Sequence, residues 1–536
     1  MLTETDTYEK LYRDFRWDIP ARFNIATACC DCHATGGGKL ALIYVDEDGR
    51  ATRTSFDDIS DMSRRFANVL KADGLVRGDR VAVFLSQSIE LPVAHLAAFR
   101  AGLISIPLFA LFGEDALEFR LSNSNAKAVV TDEGGFAKLQ KIRDRLPDLK
   151  HVYVTSDRPP EGAKSFWQAI EKTSSDFASI DTAADDPAII IYTSGTTGNP
   201  KGALHAHRSL LGHLPCVEMV HDFLPKPGDV MWTPADWAWI GGLYNALFAS
   251  WYHGVPIVGG RAKKFEPQAA MQLMADHKIR NAFLPPTALK LMRQAGVKHD
   301  GVKLRSILSG GESLGGELLD WVRNTFGIDV HEVYGQTECN LVIGNNAKLC
   351  PIVPGSMGRA TPGFDVRIVN ERGEELPRNE RGIVGVRAPN PCMMLEYWRN
   401  PEATAKKYAG GFLLTGDLGV QDENDYFWYV SREDDVITSA GYRIGPSEIE
   451  HTLMKHPAVA ISAVVGIPDP IRTESIKAWI VLRPGFEAGD KLAKEIQEFV
   501  KVQLAAHEYP RFIQFATELP MTATGKVLRR ELRALG

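Results

Sequence analysis

A chain of 536 residues exceeds what one hydrophobic core usually organises, so two or more domains are expected. Its hydrophobic content of 44% and charged content of 24% are ordinary for a soluble globular protein. The formal net charge of -6 gives no basic signature for nucleic acid or an anionic membrane.

The start, Met-Leu-Thr-Glu-Thr-Asp, lacks the basic and apolar regions of a signal peptide. Cysteines stand at 29, 30, 32, 216, 339, 350 and 392, an odd count without metal-ligand spacing, which suggests reduced thiols and a cytoplasmic home. Cys29, Cys30 and Cys32 could suggest a metal, but no second pair follows, so structural or incidental thiols are the better reading. Residues 80–85 read as a strand, 91–102 as an Ala-rich helix, and 104–108 and 126–130 as further strands. Such alternation predicts a parallel or mixed sheet covered by helices on both faces.

In the stretch 189–202, Ile189, Ile190, Ile191 and Tyr192 read as a buried strand that breaks into glycines, hydroxyls and one lysine before a helical-looking 207–211. Gly195, Gly198 and Gly202 let the backbone approach an anion closely. Thr193, Ser194, Thr196 and Thr197 add hydroxyl donors, and Lys201 adds a compensating charge. The spacing is not that of a Walker loop, because Pro200 stands where G-x-x-x-x-G-K-[ST] requires its second glycine. Read alone, the string could also be a flexible surface turn.

Next comes Trp-Thr-Pro-Ala-Asp-Trp-Ala-Trp-Ile-Gly-Gly at 232–242, whose tryptophans could be core aromatics. Residues 237–260 carry no formal charge and are long enough to span a bilayer. Their glycines, Asn245, His253 and Pro256 favour a buried helix followed by a strand. A strand at 304–308 ends in Ser-Gly-Gly-Glu-Ser, and another at 329–333 delivers Tyr334-Gly335-Gln336-Thr337-Glu338. Thr415-Gly416-Asp417, Ser431-Arg432-Glu433-Asp434-Asp435 and a Ser439-to-Glu450 stretch holding Gly441 and Arg443 follow. A small α/β module then ends in Met521-Thr-Ala-Thr-Gly525-Lys526.

In this order, and over roughly residues 23–532, these stretches resemble the motifs of the adenylate-forming acyl-CoA synthetase superfamily. The resemblance implies an α/β fold: a large N-terminal domain of mixed β-sheets flanked by helices, 1–432, plus a small mobile C-terminal α/β domain, 433–536, with a hinge near Asp434. Two departures stand out: Ser431 replaces the usual glycine before Arg432, and Met521 replaces a lysine.

The resemblance also implies roles. The 193–201 loop would hold the β- and γ-phosphates of ATP, Gly311, Glu312 and Ser313 would pack against adenine, and Glu332 belongs to the same nucleotide set. Tyr334 would stack on adenine with Gly335 and Gln336 beside it, Thr337 would bond the α-phosphate region, and Glu338 would help hold Mg²⁺. Asp417 suits a ribose, because a carboxylate accepts both hydroxyl protons. Arg432 and Arg443 would complete the nucleotide site. Trp239, Ile240, Gly241, Gly310 and Gly335 would line the acyl pocket, and Gly441 would line the path of coenzyme A. Lys526 would assist attack of a carboxylate on the α-phosphorus.

ATP, Mg²⁺, coenzyme A and a small-molecule carboxylic acid are the implied partners. In the acetate and propionate enzymes a tryptophan stands at the position of Gly335, so a deeper pocket for medium-chain, branched or cyclic acids is expected here. The rival reading is an aryl or amino acid adenylating enzyme that loads a carrier-protein thiol.

Overall fold

The computed structural model describes the chain except residues 194–199, 261–263, 312–313, 433–434, 440–441, 470–472, 504–508 and 523–525; the side chains of 438, 442, 443, 448, 502 and 503 are also outside the description. The fold is α/β, with large mixed sheets flanked by helices and a smaller C-terminal α/β region. By compactness the chain divides into Met1–Asp365 with Arg387–Gly411, and Val366–Val386 with Phe412–Gly536. That grouping puts the strand Phe427–Arg432 in the second unit. The hinge expected near Asp434 lies outside the described residues.

The first unit contains an eight-stranded sheet in the order Glu396–Tyr397, Lys201–Ala206, Pro187–Thr193, Ile104–Pro107, Arg80–Phe84, Ala128–Thr131, His151–Val154, Lys164–Ser165. From Pro187–Thr193 onward every neighbouring pair is parallel. Parallel pairing needs crossover segments, which the helices Glu90–Arg100, Glu114–Ser124 and Glu133–Ile142 supply. Along Arg80–Phe84, Val81 and Val83 enter one core while Ala82 and Phe84 enter another, so both faces are covered.

A second sheet of this unit runs from Ser356–Ala360 through Asn340–Gly344, Val330–Gln336, Ser306–Gly310, Asn281–Phe283, Met231–Trp232, Ile257–Gly260 and Leu40–Val45 to Ala51–Ser55. Its Met231 and Ile257 join the core that holds Val81 and Val83, so the two sheets share one interior. The helix Ser209–Val220 is buried on every side within that interior, which its apolar circumference permits. The uncharged 237–260 stretch holds a π-helix, Gly241–Phe248, a short α-helix, Ala249–Tyr252, and the strand Ile257–Gly260. Among the described residues no helix is long and apolar enough to cross a membrane.

In the second unit, Val366–Val369 pairs antiparallel with Arg381–Arg387, and Phe412–Gln421 with Phe427–Arg432. A five-stranded sheet follows, built on the long antiparallel pair Val459–Asp469 and Thr473–Leu482. The helices Pro446–Met454 and Asp490–Gln503 cover it through Ile449, Leu453, Ile496 and Val500.

Candidate active site

The loop expected between a strand and a helix joins two strands instead. Lys201–Ala206 pairs antiparallel with Pro187–Thr193, and the helix begins only at Ser209. This second strand hid from the sequence because it is buried on both faces between Pro187–Thr193 and Glu396–Tyr397, so it shows no alternation. Thr193 stands opposite Lys201, and its hydroxyl donates to the Lys201 carbonyl at 3.4 Å. A Cβ on Gly202 would lie 2.7 Å from Ile190 Cγ2, so close strand packing calls for glycine there. Ser194, Gly195, Thr196, Thr197 and Gly198 lie outside the described residues.

A second hairpin carries the next motif. The strand Val330–Gln336 includes Tyr334, Gly335 and Gln336, turns through 337–339 and returns as Asn340–Gly344. The register shifts between Tyr334 and Gly335, and a Cβ on Gly335 would lie 1.5 Å from the Asn340 carbonyl oxygen. Only glycine fits this bulge. Lys407 Nζ donates to Gln336 Oε1 at 3.0 Å.

Glu338 is buried at the turn. The Met394 N–H donates to its carbonyl at 2.8 Å, and the Tyr397 hydroxyl donates to its carboxylate. Lys201 Nζ lies 5.3 Å from the centroid of the Tyr397 ring. The hairpins bearing Lys201 and Glu338 thus meet at one tyrosine, which carried no recognised signal in the sequence.

Glu332 is 5% exposed, and its Oε1 accepts the Leu314 N–H at 2.8 Å. Burial raises its carboxyl from an ordinary 4.5 to about 7, against the lowering effect of that hydrogen bond. Glu332 therefore braces the chain just after Glu312 and Ser313, which are outside the described residues. Gly311 has a φ of 101°, which favours glycine.

Histidines behind the hairpins also escaped the sequence reading. His205 is fully buried beside the Thr337 backbone, and burial pushes it down to about 4. His213 Nδ1 and Asn245 Oδ1 are 2.9 Å apart, and Asn340 Nδ2 donates to the same oxygen at 3.2 Å. These neutral polar groups link the π-helix Gly241–Phe248 to the Asn340 end of the hairpin.

In the stretch expected to line the acyl pocket, Trp239 is half-buried, with its ring centroid 5.5 Å from Phe109 and 6.1 Å from Phe112. The Arg120 guanidinium lies 4.0 Å from the Phe112 centroid, and burial lowers its pKa to about 10. Ile240 is half-buried and packs on the shared core. A Cβ on Gly241 would lie 3.0 Å from Phe283 Cε1, and one on Gly310 would lie 2.6 Å from Val333 Cγ2. Protein atoms already fill the space that Gly310 and Gly335 leave, so these two glycines do not by themselves deepen a pocket.

In the second unit Asp417 stands opposite Arg432 in the strand register, and Arg432 Nη1 donates to Asp417 Oδ1 at 2.9 Å. Lys526 is exposed; its N–H donates to Thr522 Oγ1 at 3.0 Å, and Thr522 N–H returns to the Lys526 carbonyl at 2.7 Å. Arg529, three residues on, grips both oxygens of half-buried Glu450 at 2.8 and 2.7 Å and reaches Asp435 at 3.3 Å. Arg443 lies on the strand Tyr442–Ile444 with its side chain outside the description, and Gly441 and Asp434 lie outside the described residues.

Among the described residues no group of three or more His, Cys, Asp or Glu could hold a metal ion. A single carboxylate such as Glu338 fits an ion of the Mg²⁺ kind, which takes one or two carboxylates and completes its shell with phosphate oxygens and water.

The AMP-binding enzyme family model matches residues 31–398, and the AMP-binding enzyme C-terminal domain model matches 448–526. The acetyl-coenzyme A synthetase of Bacillus subtilis (strain 168) is 38% identical, over 98% of this chain and 94% of its own. An anthranilate CoA ligase, AuaEII, solved in complex with anthranoyl-AMP, is 28% identical with a TM-score of 0.87, covering 97% of this chain and 98% of that one. The ATP-bound RpMatB-BxBclM chimera B1 is 30% identical with a TM-score of 0.85, covering 96% and 98%.

Proposed function

The chain belongs to the AMP-binding enzyme family and is an AMP-forming acyl-CoA ligase using ATP, Mg²⁺ and coenzyme A; from that premise we propose that its acid is a medium-chain, branched or cyclic carboxylic acid. The aromatic cluster Phe109, Phe112 and Trp239 carries this reading, since such a wall rewards apolar acyl groups. Each buried methylene contributes about 0.8 kcal/mol. A six-carbon acid should therefore exceed acetate in kcat/KM by about a hundredfold. Acetate winning that comparison would overturn the assignment, and the acetyl-coenzyme A synthetase relative makes acetate the right competitor.

In the first half-reaction a carboxylate oxygen attacks the α-phosphorus of ATP and pyrophosphate leaves; in the second the thiol of coenzyme A attacks the acyl carbonyl and AMP leaves. Two anions meet in the first step, so positive charge and positioning supply most of the acceleration. Lys526 is proposed to guide that attack, while Lys201 and the 193–198 loop neutralise the leaving pyrophosphate.

Tyr334 is proposed to stack on adenine, Asp417 to accept the ribose hydroxyls with Arg432 holding it in place, and Thr337 to bond the α-phosphate. Glu338 would hold Mg²⁺, which supplies charge neutralisation on the phosphates. Glu332 is proposed to act on this site through Leu314, whose N–H donates to it. The hinge at Asp434 and the role of Gly441 beside coenzyme A complete the proposal, and the seven unbridged cysteines support a cytoplasmic home.

A further inference from the structure

We propose that Tyr397 is a positioning residue that sets Glu338 for a divalent cation and Lys201 for phosphate, holding the two charges apart. The inference rests on the roles assigned to Glu338 and Lys201 above. Their charges are opposite, and a lysine and a carboxylate on adjoining hairpins would gain by pairing directly. Such a pair would take the carboxylate from the cation and the ammonium from the phosphates. Tyr397 offers each a different partner instead: its hydroxyl donates to Glu338, and its ring faces the Lys201 ammonium at 5.3 Å.

The tyrosine is itself held firmly. It is 3% exposed and packs with Ala203 and Met394. In the antiparallel ladder it stands opposite Ala203, two residues from Lys201. The Leu395 N–H donates to the Leu204 carbonyl and the Trp398 N–H to the Gly202 carbonyl, both at 2.7 Å. Its own N–H donates to Thr404 Oγ1 at 2.9 Å, and that hydroxyl donates to the Asn400 carbonyl at 2.9 Å. The Met394 N–H bond to the Glu338 carbonyl joins the same segment to the turn. A hydroxyl fixed in this way orients one carboxylate oxygen and leaves the other for a ligand, as partners of metal-binding groups commonly do.

Tyr397→Phe keeps the ring over Lys201 and removes the donor. Mn²⁺ binding, read by electron paramagnetic resonance with a non-hydrolysable ATP analogue, should weaken about 10- to 100-fold. The Mg²⁺ concentration for half-maximal ATP–pyrophosphate exchange should rise in step. Thioester formation from supplied acyl-adenylate and coenzyme A should stay within twofold of the parent. Tyr397→Leu, which also removes the ring, should add a rise in KM for ATP.

A variant that only loosened the fold would lower the active fraction and leave the Mn²⁺ midpoint in place. Combining Tyr397→Phe with Glu338→Gln separates the cases again, because residues acting together give less than additive losses. An unchanged Mn²⁺ midpoint in Tyr397→Phe overturns the proposal while leaving the ligase reading intact. Absence of any acid-dependent exchange in the parent protein overturns the reading on which it rests.

Discussion

Lys201 and Lys526 carry the same ammonium in opposite settings. Lys201 lies at the start of a strand hydrogen-bonded on both edges, with its charge over an aromatic ring. Lys526 is exposed, with its N–H on the Thr522 hydroxyl, beside the bridge between Met521 and Val527. A charge fixed in advance stabilises a developing anion without reorganisation at the moment of reaction. An exposed lysine keeps rotamer freedom worth up to about 2 kcal/mol, which it must surrender to act. The first arrangement suits a group used whenever phosphates are bound, and the second suits a group used in one half-reaction only.

Lys526→Ala offers the sharpest test of that contrast. Opposite charges about 4 Å apart attract by roughly 4 kcal/mol at an effective dielectric of about 20, or about three decades in rate. ATP–pyrophosphate exchange should fall about 10³-fold, while supplied acyl-adenylate and coenzyme A still give thioester. Equal loss of both reactions would erase the distinction between the lysines.

Glu332 extends the comparison to a buried acid, with an effect of about 3 kcal/mol. The folded protein keeps this proton up to about pH 7, whereas the unfolded chain releases it near 4.5. The native state therefore binds more protons in that window, and stability falls as pH rises through it. At about 1.4 kcal/mol per pH unit the loss is about 3 kcal/mol, complete above pH 7. Glu332→Gln should flatten that slope in urea unfolding at pH 5 and pH 8; an unaltered slope would assign the pH dependence elsewhere.

Lys201→Met comes next, with about a 10²-fold loss of exchange. Because the strand is held by its backbone, the melting temperature should hardly move. A large fall in melting temperature with unchanged exchange would make Lys201 structural.

The sequence revealed motif order well and motif geometry poorly. Residues 80–85, 104–108 and 126–130 were legible as strands because apolar, branched residues dominate them, and the observed strands Arg80–Phe84, Ile104–Pro107 and Ala128–Thr131 match. Lys201–Ala206 was missed because glycine, alanine and histidine are weak strand formers whose pairing here is settled by neighbours far along the chain. Tyr397 was invisible for the same reason: Glu338 and Lys201, which it touches, lie 59 and 196 residues away. Gly335 was read as space for a substrate, whereas the structure uses it to pass the Asn340 carbonyl. A missing side chain is informative only once the direction of its absent Cβ is known.

Trp239 tests that last point with the smallest effect. Its half-buried ring meets Phe109 and Phe112 two residues before the π-helix Gly241–Phe248, so it can present a face to a ligand while packing on its neighbours. Aromatic pairs of this kind contribute about 0.5–1.5 kcal/mol beyond simple area. Trp239→Leu should therefore lower kcat/KM for a six- to eight-carbon acid about tenfold. Acetate, too short to reach the ring, should lose less than half of its kcat/KM, and KM for ATP should be unchanged. Equal losses for acetate and octanoate would show that the tryptophan shapes the fold and not the acyl pocket, and chain-length preference would then have to come from the π-helix and Phe283.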